Sequence, residues 1–270
     1  MTPDALNQAL TPDRWPALIY VTARVTGLML SAPLWSMAPM PRSIRAAVTV
    51  VLAVLLLPAC PEVHVPQQPF DLPLPLAIEG LIGVAAGLTA AVLVQGAALA
   101  GEIISVQMGL SMGPAIMVLP DLPGSEFGHL FGLFATVLYL GLDGHLMLLQ
   151  GIADSLRALP PGAPLDLARG SEMAVSLFGA LFATAVCVAG PVLATLLLTH
   201  VSLALLNRAV PQLNALMTSF PITIGAGMLM LGIALPVMTT AFAGGLSHLP
   251  EMVEHALGAW VPLTATGTGL

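Results

Sequence analysis

Stretches without a charged residue divide the chain into apolar segments whose lengths predict helices embedded in a membrane. A helix that crosses the hydrocarbon core needs about 20 consecutive, mostly apolar residues. The pattern therefore predicts an all-α, membrane-associated bundle with about six apolar segments. We place them at Trp15–Trp35, Ile44–Ala59, Leu74–Gly101, Phe127–Gly151, Ser171–Leu206 and Leu213–Gly244.

Several of these segments fit a simple spanning helix poorly. Ile44–Ala59 is short for a bilayer, whereas Leu74–Gly101 is longer than a bilayer needs. Pro191, Pro221 and Pro236 interrupt the last two segments. Proline removes a backbone donor and frees a carbonyl that neighbouring helices or water must satisfy. We therefore expect long, kinked helical hairpins that pack on other protein as well as on lipid.

Composition agrees with a membrane protein. Of the 270 residues, 57% are hydrophobic and 8% are charged, whereas soluble domains carry about 25% charged residues. No polar block is long enough for a separate soluble domain. We expect one helical domain over 1–270, with an N-terminal segment at 1–14, a helical core at 15–244 and a short tail at 245–270.

Charge and cysteine usage exclude several classes of function. The net charge is −7, and the seven basic residues, all arginine, form no basic patch in the sequence. This argues against nucleic-acid binding and against a polybasic lipid anchor. No basic region precedes the first apolar segment, so we expect that segment itself to direct insertion. Cys60 and Cys187 lack ligand spacing, and we expect two unpaired packing thiols, no metal and no cofactor.

Two other classes of function are alternatives. The sequence holds no GxSxG, HExxH or paired-aspartate motif, so we expect no catalytic residues and no enzyme. A stand-alone secondary transporter would place ion sites at Arg24, Glu79 and Glu102. Many transporters are built from inverted repeats, and we find no internal repeat.

Arg24 lies inside the first apolar segment, where an unpaired charge is costly. Two hypotheses follow. Arg24 forms a buried ion pair with Glu79 or Glu102, or it lies in a wet assembly interface. Gly83 and Gly87 have the GxxxG spacing that permits close helix approach, a common pattern in apolar sequences.

The stretch Gln107–Pro120 combines three methionines, Met108, Met112 and Met117, with glycine and proline. Methionine adapts to irregular surfaces. This stretch is either a plug that closes a pore or a loop packed in the apolar core.

Two polar groups have alternative interpretations. Asp143-Gly144-His145 is either a proton relay or a turn at a helix break. Four residues in the tail fall on one side of a short helix and form either a zinc site or a solvated face. These are His248, Glu251, Glu254 and His255.

Three blocks resemble the family of the flagellar biosynthetic protein FliR and its injectisome relatives. The first is GEIISVQMGLS at Gly101–Ser111, and the third is LNRAVPQLN at Leu206–Asn214, followed by Phe220-Pro221. The second is Gly144–Leu146, followed by Ser155-Leu156 and Leu159-Pro160. Arg24, Gly27, Pro33, Pro41, Arg42 and Arg45 also match the family layout, so the resemblance covers nearly the whole chain in order. Met112, Asp143 and Ser219 depart from it.

The resemblance implies a structural subunit of the flagellar type III export gate in the bacterial inner membrane, at the flagellar basal body. FliP-like and FliQ-like subunits and a FlhB-like switch protein would be its partners. Helical hairpins would assemble into a closed spiral around a channel for unfolded flagellar proteins, largely raised out of the bilayer. An injectisome homologue is the related alternative.

The resemblance also implies roles for particular residues. The plug would comprise Gln107, Met108, Gly109, Leu110, Ser111, Met112, Gly113, Pro114 and Met117. Arg208 and Gln212 would lie in the subunit-packing region. A second set combines that block with the charged residues found inside the apolar segments, and we expect it to serve subunit packing and buried polar contacts. Its members are Arg24, Glu79, Glu102, Asn207, Arg208, Pro211, Gln212, Phe220 and Pro221.

Overall fold

The computed structural model describes residues 14–37, 41–60, 63, 73–110, 126–162, 167–210, 215–258 and 260. All regular structure within these ranges is helical, which confirms the all-α fold. The longer helices are α1 (Trp15–Ser31), α3 (Arg42–Leu56), α4 (Pro73–Gln107), α5 (Glu126–Gly141), α6 (Gly144–Ala158), α7 (Leu167–Ala209) and α8 (Ala215–Ser247). The short helix α2 (Pro33–Met37) follows α1, a 3-10 turn (Leu57–Ala59) follows α3, and α9 (Leu249–Gly258) follows α8.

Four of the described helical stretches are long and apolar enough to cross a membrane: Arg42–Ala59, Pro73–Gln107, Ala168–Ala209 and Thr218–Ser247. The bent pair α5–α6 makes a fifth if it is counted as one span. The prediction of about six was therefore slightly high. The difference lies in the first segment, because α1 ends after 17 residues and Ala32 is extended. Proline disfavours the helical conformation for the residue that precedes it, and Ala32 precedes Pro33.

The segment Phe127–Gly151 is broken at Asp143, which agrees with the interpretation of Asp143-Gly144-His145 as a turn at a helix break. Asp143 adopts a left-handed conformation with φ of 57°. Its carbonyl oxygen accepts hydrogen bonds from the backbone N–H groups of Leu146 and Met147, which begins α6. The Asp143 side chain makes no capping hydrogen bond. The site is therefore a backbone turn, and its carboxylate does not cap the following helix.

The internal prolines do not end their helices. Helix α7 continues for 43 residues through Pro191. Helix α8 continues for 33 residues through Pro221 and Pro236. Thr195 donates to the carbonyl oxygen of Pro191 at 3.1 Å, and Thr239 donates to that of Pro236 at 2.6 Å. Proline within long helices is a feature that membrane helices allow.

The chain forms two compact units. Unit 1 contains residues 1–91, 143–178 and 247–270, and unit 2 contains residues 92–142 and 179–246. The single helical domain over 1–270 stays a prediction. The core of unit 1 includes Tyr20, Val21, Val25, Leu28, Leu148, Ile152 and Leu156, and the core of unit 2 includes Ala100, Ile104, Met108, Phe131, Ala189, Val192, Leu196, Leu231, Ala234 and Met238.

Helix α9 is amphipathic, which supports the solvated-face interpretation of the tail. Its apolar residues, among them Leu249 and Val253, are buried. Val253 contacts α6 at Gly151, where an added Cβ would lie 2.7 Å from the valine Cγ1. Glu251 and Glu254 are exposed. Within the described parts of the chain, no group of three metal-ligating side chains comes together.

Candidate functional site: a buried arginine cluster and the base of the central loop

Helices α1 and α4 of unit 1 approach each other at glycines, which confirms the close contact suggested by Gly83 and Gly87. A Cβ on Gly27 would overlap the carbonyl oxygen of Gly80. A Cβ on Gly83 would overlap the carbonyl oxygen of Arg24, and one on Gly87 would overlap the Ser31 hydroxyl. Without side chains at these positions, the two backbones can touch.

This close approach buries Arg24 completely. Its Nε donates to Glu79 Oε2 at 2.7 Å, and this is an ion pair in which Glu79 is also buried. Nη1 donates to Ser155 Oγ at 3.1 Å, and Nη2 donates to the Leu159 carbonyl oxygen at 3.1 Å. The second carboxylate oxygen of Glu79 accepts from the backbone N–H of Gly162 at 3.3 Å. We call these five residues the arginine cluster.

The cluster satisfies its charges internally. Each nitrogen of the Arg24 guanidinium donates to an acceptor, and each Glu79 carboxylate oxygen accepts a donor. A buried charge without such partners costs several kcal/mol. The cluster therefore ties α1, α4, α6 and the turn after α6 together, which favours the ion-pair hypothesis for Arg24 over a wet interface. Glu102, the other candidate partner, is half-buried and belongs to unit 2.

We call the stretch Gln107–Pro120 the central loop; its described first residues, Gln107–Leu110, are its base and lie in unit 2. The Met108 side chain is buried in the core of this unit, and its Sδ would lie 2.8 Å from a Cβ on Gly227 of α8. Gly109 has φ of +78°, and a Cβ there would lie 2.8 Å from the ring of Phe220. Two blocks of the family resemblance, the central one and the Phe-Pro pair, therefore meet at this point.

The other predicted site residues fall in several places. Gln107, Leu110, Arg208 and Pro221 are exposed, and Asn207 is half-buried. Arg208 lies in the last turn of α7, where a cation favours the negative end of the helix. Seven predicted residues lie outside the described residues: Ser111, Met112, Gly113, Pro114, Met117, Pro211 and Gln212.

Sequence reasoning missed four contributors to these contacts. Ser155 and Leu159 belong to the second block of the resemblance, but the sequence gave no reason to place them beside Arg24. Gly162 contributes a backbone N–H, and no side-chain pattern could reveal this. Gly227 is recognisable only once Met108 is seen to lie against it.

We expect Gly109→Ala to destabilise the base of the central loop. The left-handed conformation costs a residue with a Cβ about 1–2 kcal/mol, and the new methyl would press on the Phe220 ring. The thermal midpoint of the purified chain in detergent should fall by about 3–6 °C. Gly225→Ala on α8 is the matched control, because its Cβ meets nothing within 4 Å. Equal midpoints for the two variants would contradict this account of Gly109.

Residues 15–249 match the profile of a family described as bacterial export proteins, family 1. The chain belongs to this family. Among the bacterial export proteins of family 1, it is 30% identical to the flagellar biosynthetic protein FliR of Escherichia coli K12, over 83% of this chain and 84% of that protein. It is 27% identical to the FliR protein of Aquifex aeolicus, over 86% of this chain and 90% of that protein. The resemblance found in the sequence is thereby confirmed.

A further relative comes from a differently named group. The surface presentation of antigens protein SpaR of Shigella sonnei is 32% identical over 45% of this chain and 47% of that protein. The FliR matches cover the larger share of the chain.

Proposed function

We propose that this export-family protein is a structural subunit of the flagellar type III export gate in the bacterial inner membrane. It helps to form and seal the channel through which unfolded flagellar proteins leave the cytoplasm. FliP-like and FliQ-like subunits are its partners, with a FlhB-like switch protein at the same gate. Its task is to build and close a path, and it catalyses no reaction.

The observation that carries this proposal is the anchored base of the central loop. Met108 and Gly109 are held against Gly227 and Phe220 of α8, within one unit. A loop that seals a channel needs a fixed base, because a loose base would let the seal drift. Gln107 and Leu110 remain exposed beside this base. A fixed base with exposed flanking residues supports a sealing role for the stretch Gln107–Pro120.

The uncovered helices support assembly with partners. The most apolar windows of α3, α7 and α8 are 17%, 22% and 28% buried within the chain, whereas that of α4 is 67% buried. Large apolar side chains on α7 are exposed, including Phe178, Phe182 and Leu198. Such surfaces need lipid or apolar protein around them. Subunits of an export gate, together with lipid, would supply that cover.

The arginine cluster weighs against a stand-alone transporter. An ion site needs oxygen atoms that face a path, and both carboxylate oxygens of Glu79 are already used within the cluster. The injectisome alternative is supported by the SpaR relative, although that match covers less than half of the chain. The flagellar role is the better supported of the two, because the FliR relatives match over most of the chain.

Purification with the neighbouring gene products tests the proposal. The chain is co-expressed with the proteins encoded beside it, extracted in mild detergent and recovered by an affinity tag. We expect a stable complex with two other small hydrophobic proteins. A monodisperse protein that is stable alone and carries ion flux in vesicles would contradict the proposal and favour the transporter.

Shortening the central loop tests the sealing role. Replacing residues 111–120 with a short Gly-Ser linker should leave complex assembly intact, because Met108 and Gly109 at its base are kept. Vesicles that contain the assembled variant should leak small solutes, whereas vesicles with the wild-type complex should not. The exposed-site variant Glu251→Ala is the control. Unchanged conductance in an assembled, shortened complex would contradict the plug role.

A further inference from the structure

A groove of about 290 Å³ lies in unit 1 between α1 and α3. Its lining includes Arg42 and Arg45, which are three residues apart and therefore lie on the same face of α3, near the N-terminus of that helix. Its walls are apolar and include Met29, Leu30 and Val50. The groove thus combines two cations with an apolar wall.

The two arginines lack an anionic partner among the described residues. No carboxylate there lies within ion-pair distance of either one. Arg45 Nη2 makes a hydrogen bond of 3.3 Å to the Trp35 carbonyl oxygen, while its Nε is buried without a partner in the described structure. A buried donor without an acceptor is destabilising. An anion in the groove would remove that cost.

The position on the helix adds to the case for an anion. Arg42 and Arg45 lie in the first two turns of α3, whose N-terminus has no side-chain cap. The positive end of a helix dipole disfavours cations and favours anions. Two cations at this end are therefore stabilised best when an anion lies between them and the free backbone N–H groups.

The threonine hydroxyls of the groove are not available to donate hydrogen bonds to an anion. Thr22 donates to the Leu18 carbonyl oxygen, Thr26 to that of Thr22 and Thr49 to that of Arg45, at 2.6–2.8 Å. Because each hydroxyl proton is used, an anion in the groove would be held by the two arginines and the free backbone N–H groups at the start of α3. Guanidinium groups bind phosphate through paired hydrogen bonds.

We propose that this groove binds the phosphate headgroup of an anionic phospholipid. The arginines lie at the end of a helical stretch, Arg42–Ala59, that is long and apolar enough to span a membrane. A span over this stretch would place the arginines at headgroup depth, where basic pockets between membrane helices bind phosphate groups. Behind the arginines, the groove wall of Met29, Leu30 and Val50 offers apolar surface to the start of an acyl chain. A free phosphate ion would gain nothing from this wall.

This site differs from a polybasic anchor, which the sequence excluded. Only two arginines take part, and they are brought together with α1 by folding. The site is independent of the proposed export role, because its test measures bound lipid and not protein transport.

Native mass spectrometry of the full-length chain in mild detergent tests the proposal. Wild-type protein, Arg42→Gln/Arg45→Gln and the control Arg157→Gln are titrated with phosphatidylglycerol, phosphatidylcholine and inorganic phosphate. Arg157 is a suitable control because it is exposed and paired with Asp154. We expect tight phosphatidylglycerol binding by the wild type and by the control, and binding about 30-fold weaker by the double variant, since each arginine near a membrane surface contributes about 1 kcal/mol.

A second variant keeps the test independent of folding. Arg42→Lys/Arg45→Lys preserves both charges but removes the paired donors, and we expect phosphatidylglycerol binding about fivefold weaker than wild type. Equal lipid binding by the wild type and by the double glutamine variant would overturn the proposal. Competition by inorganic phosphate at the same concentration as lipid would assign the groove to free anions and also overturn it. The double glutamine variant is also purified with its co-expressed partner proteins. If that complex loses partner proteins while the bound lipid is unchanged, the arginines bind a protein carboxylate and the proposal is overturned.

Discussion

Glu79→Ala is expected to destabilise unit 1 by about 3–5 kcal/mol, because it leaves the fully buried Arg24 without its counter-charge. The remaining acceptors, Ser155 Oγ and the Leu159 carbonyl oxygen, are neutral. They cannot replace a carboxylate at 2.7 Å. The thermal midpoint of the purified chain in detergent should fall by about 10 °C or more.

The double variant Arg24→Met/Glu79→Leu separates loss of the ion pair from exposure of a lone charge. Replacing a buried pair with apolar residues of similar volume is often close to neutral. We therefore expect the double variant to recover most of the stability lost in Glu79→Ala. It will not recover all of it, because the Leu159 carbonyl and the Gly162 N–H each lose a partner.

Glu251→Ala is the matched control for charge removal in the same unit. Glu251 is exposed and pairs only with the exposed His248 at 3.2 Å. Exposed pairs contribute little, so the midpoint should stay within about 2 °C of wild type. The midpoint is measured by heating samples to a series of temperatures and determining by size-exclusion chromatography the fraction of protein that remains monodisperse. A Glu79→Ala midpoint as close to wild type as that of Glu251→Ala would show that Arg24 does not depend on this carboxylate.

Gly27→Ala is expected to cost at least about 3 kcal/mol, the upper end of the range for overpacked sites. The added Cβ would overlap the carbonyl oxygen of Gly80 and lie 2.9 Å from the backbone nitrogen of Val84. Both of these groups are backbone, so no side chain can rotate away. Helices α1 and α4 must separate, and the separation also lengthens the contact between Arg24 and Glu79.

The same substitution at an open position provides the control. Gly179 lies in α7, and a Cβ there meets nothing within 4 Å. Gly179→Ala should leave the midpoint unchanged or raise it slightly, since alanine is the better helix former by about 1 kcal/mol. Thermal midpoints of both variants are measured side by side. If Gly27→Ala were as well tolerated as Gly179→Ala, the close contact of α1 with α4 would be refuted.

The sequence predicted the parts of the fold that follow from burial. Long apolar segments predicted helices, and a charge inside one of them predicted a partner for Arg24. The sequence could not choose between Glu79 and Glu102, because both lie on the same long apolar stretch and only tertiary packing separates them. Ser155 and Leu159 could not be assigned to Arg24 either, because only tertiary packing brings them beside it. Their contacts with Arg24 join residues that are 131 and 135 positions apart.

The differences in helix boundaries have two separate causes. Pro33 signalled the end of α1, because a proline disfavours helix at the residue before it. The apolar pattern continued to Trp35, however, and this obscured the helix end. The break at Asp143 had a weaker signal. A single aspartate in an apolar stretch does not reveal a left-handed backbone. At the central loop, the glycine content indicated irregular backbone, but the contact of Gly109 with Phe220 needed the folded structure.

The long sequence separations within the arginine cluster mean that Arg24 is synthesised well before the residues that neutralise it. Glu79 follows Arg24 by 55 residues, and the Leu159 carbonyl follows it by 135. At about 5–20 residues per second, Arg24 waits roughly 3–11 seconds for its counter-charge and longer for its remaining acceptors. A lone arginine is costly in the middle of a bilayer. We therefore expect the nascent α1 to stay out of the hydrocarbon core until α4 emerges and Glu79 can neutralise Arg24.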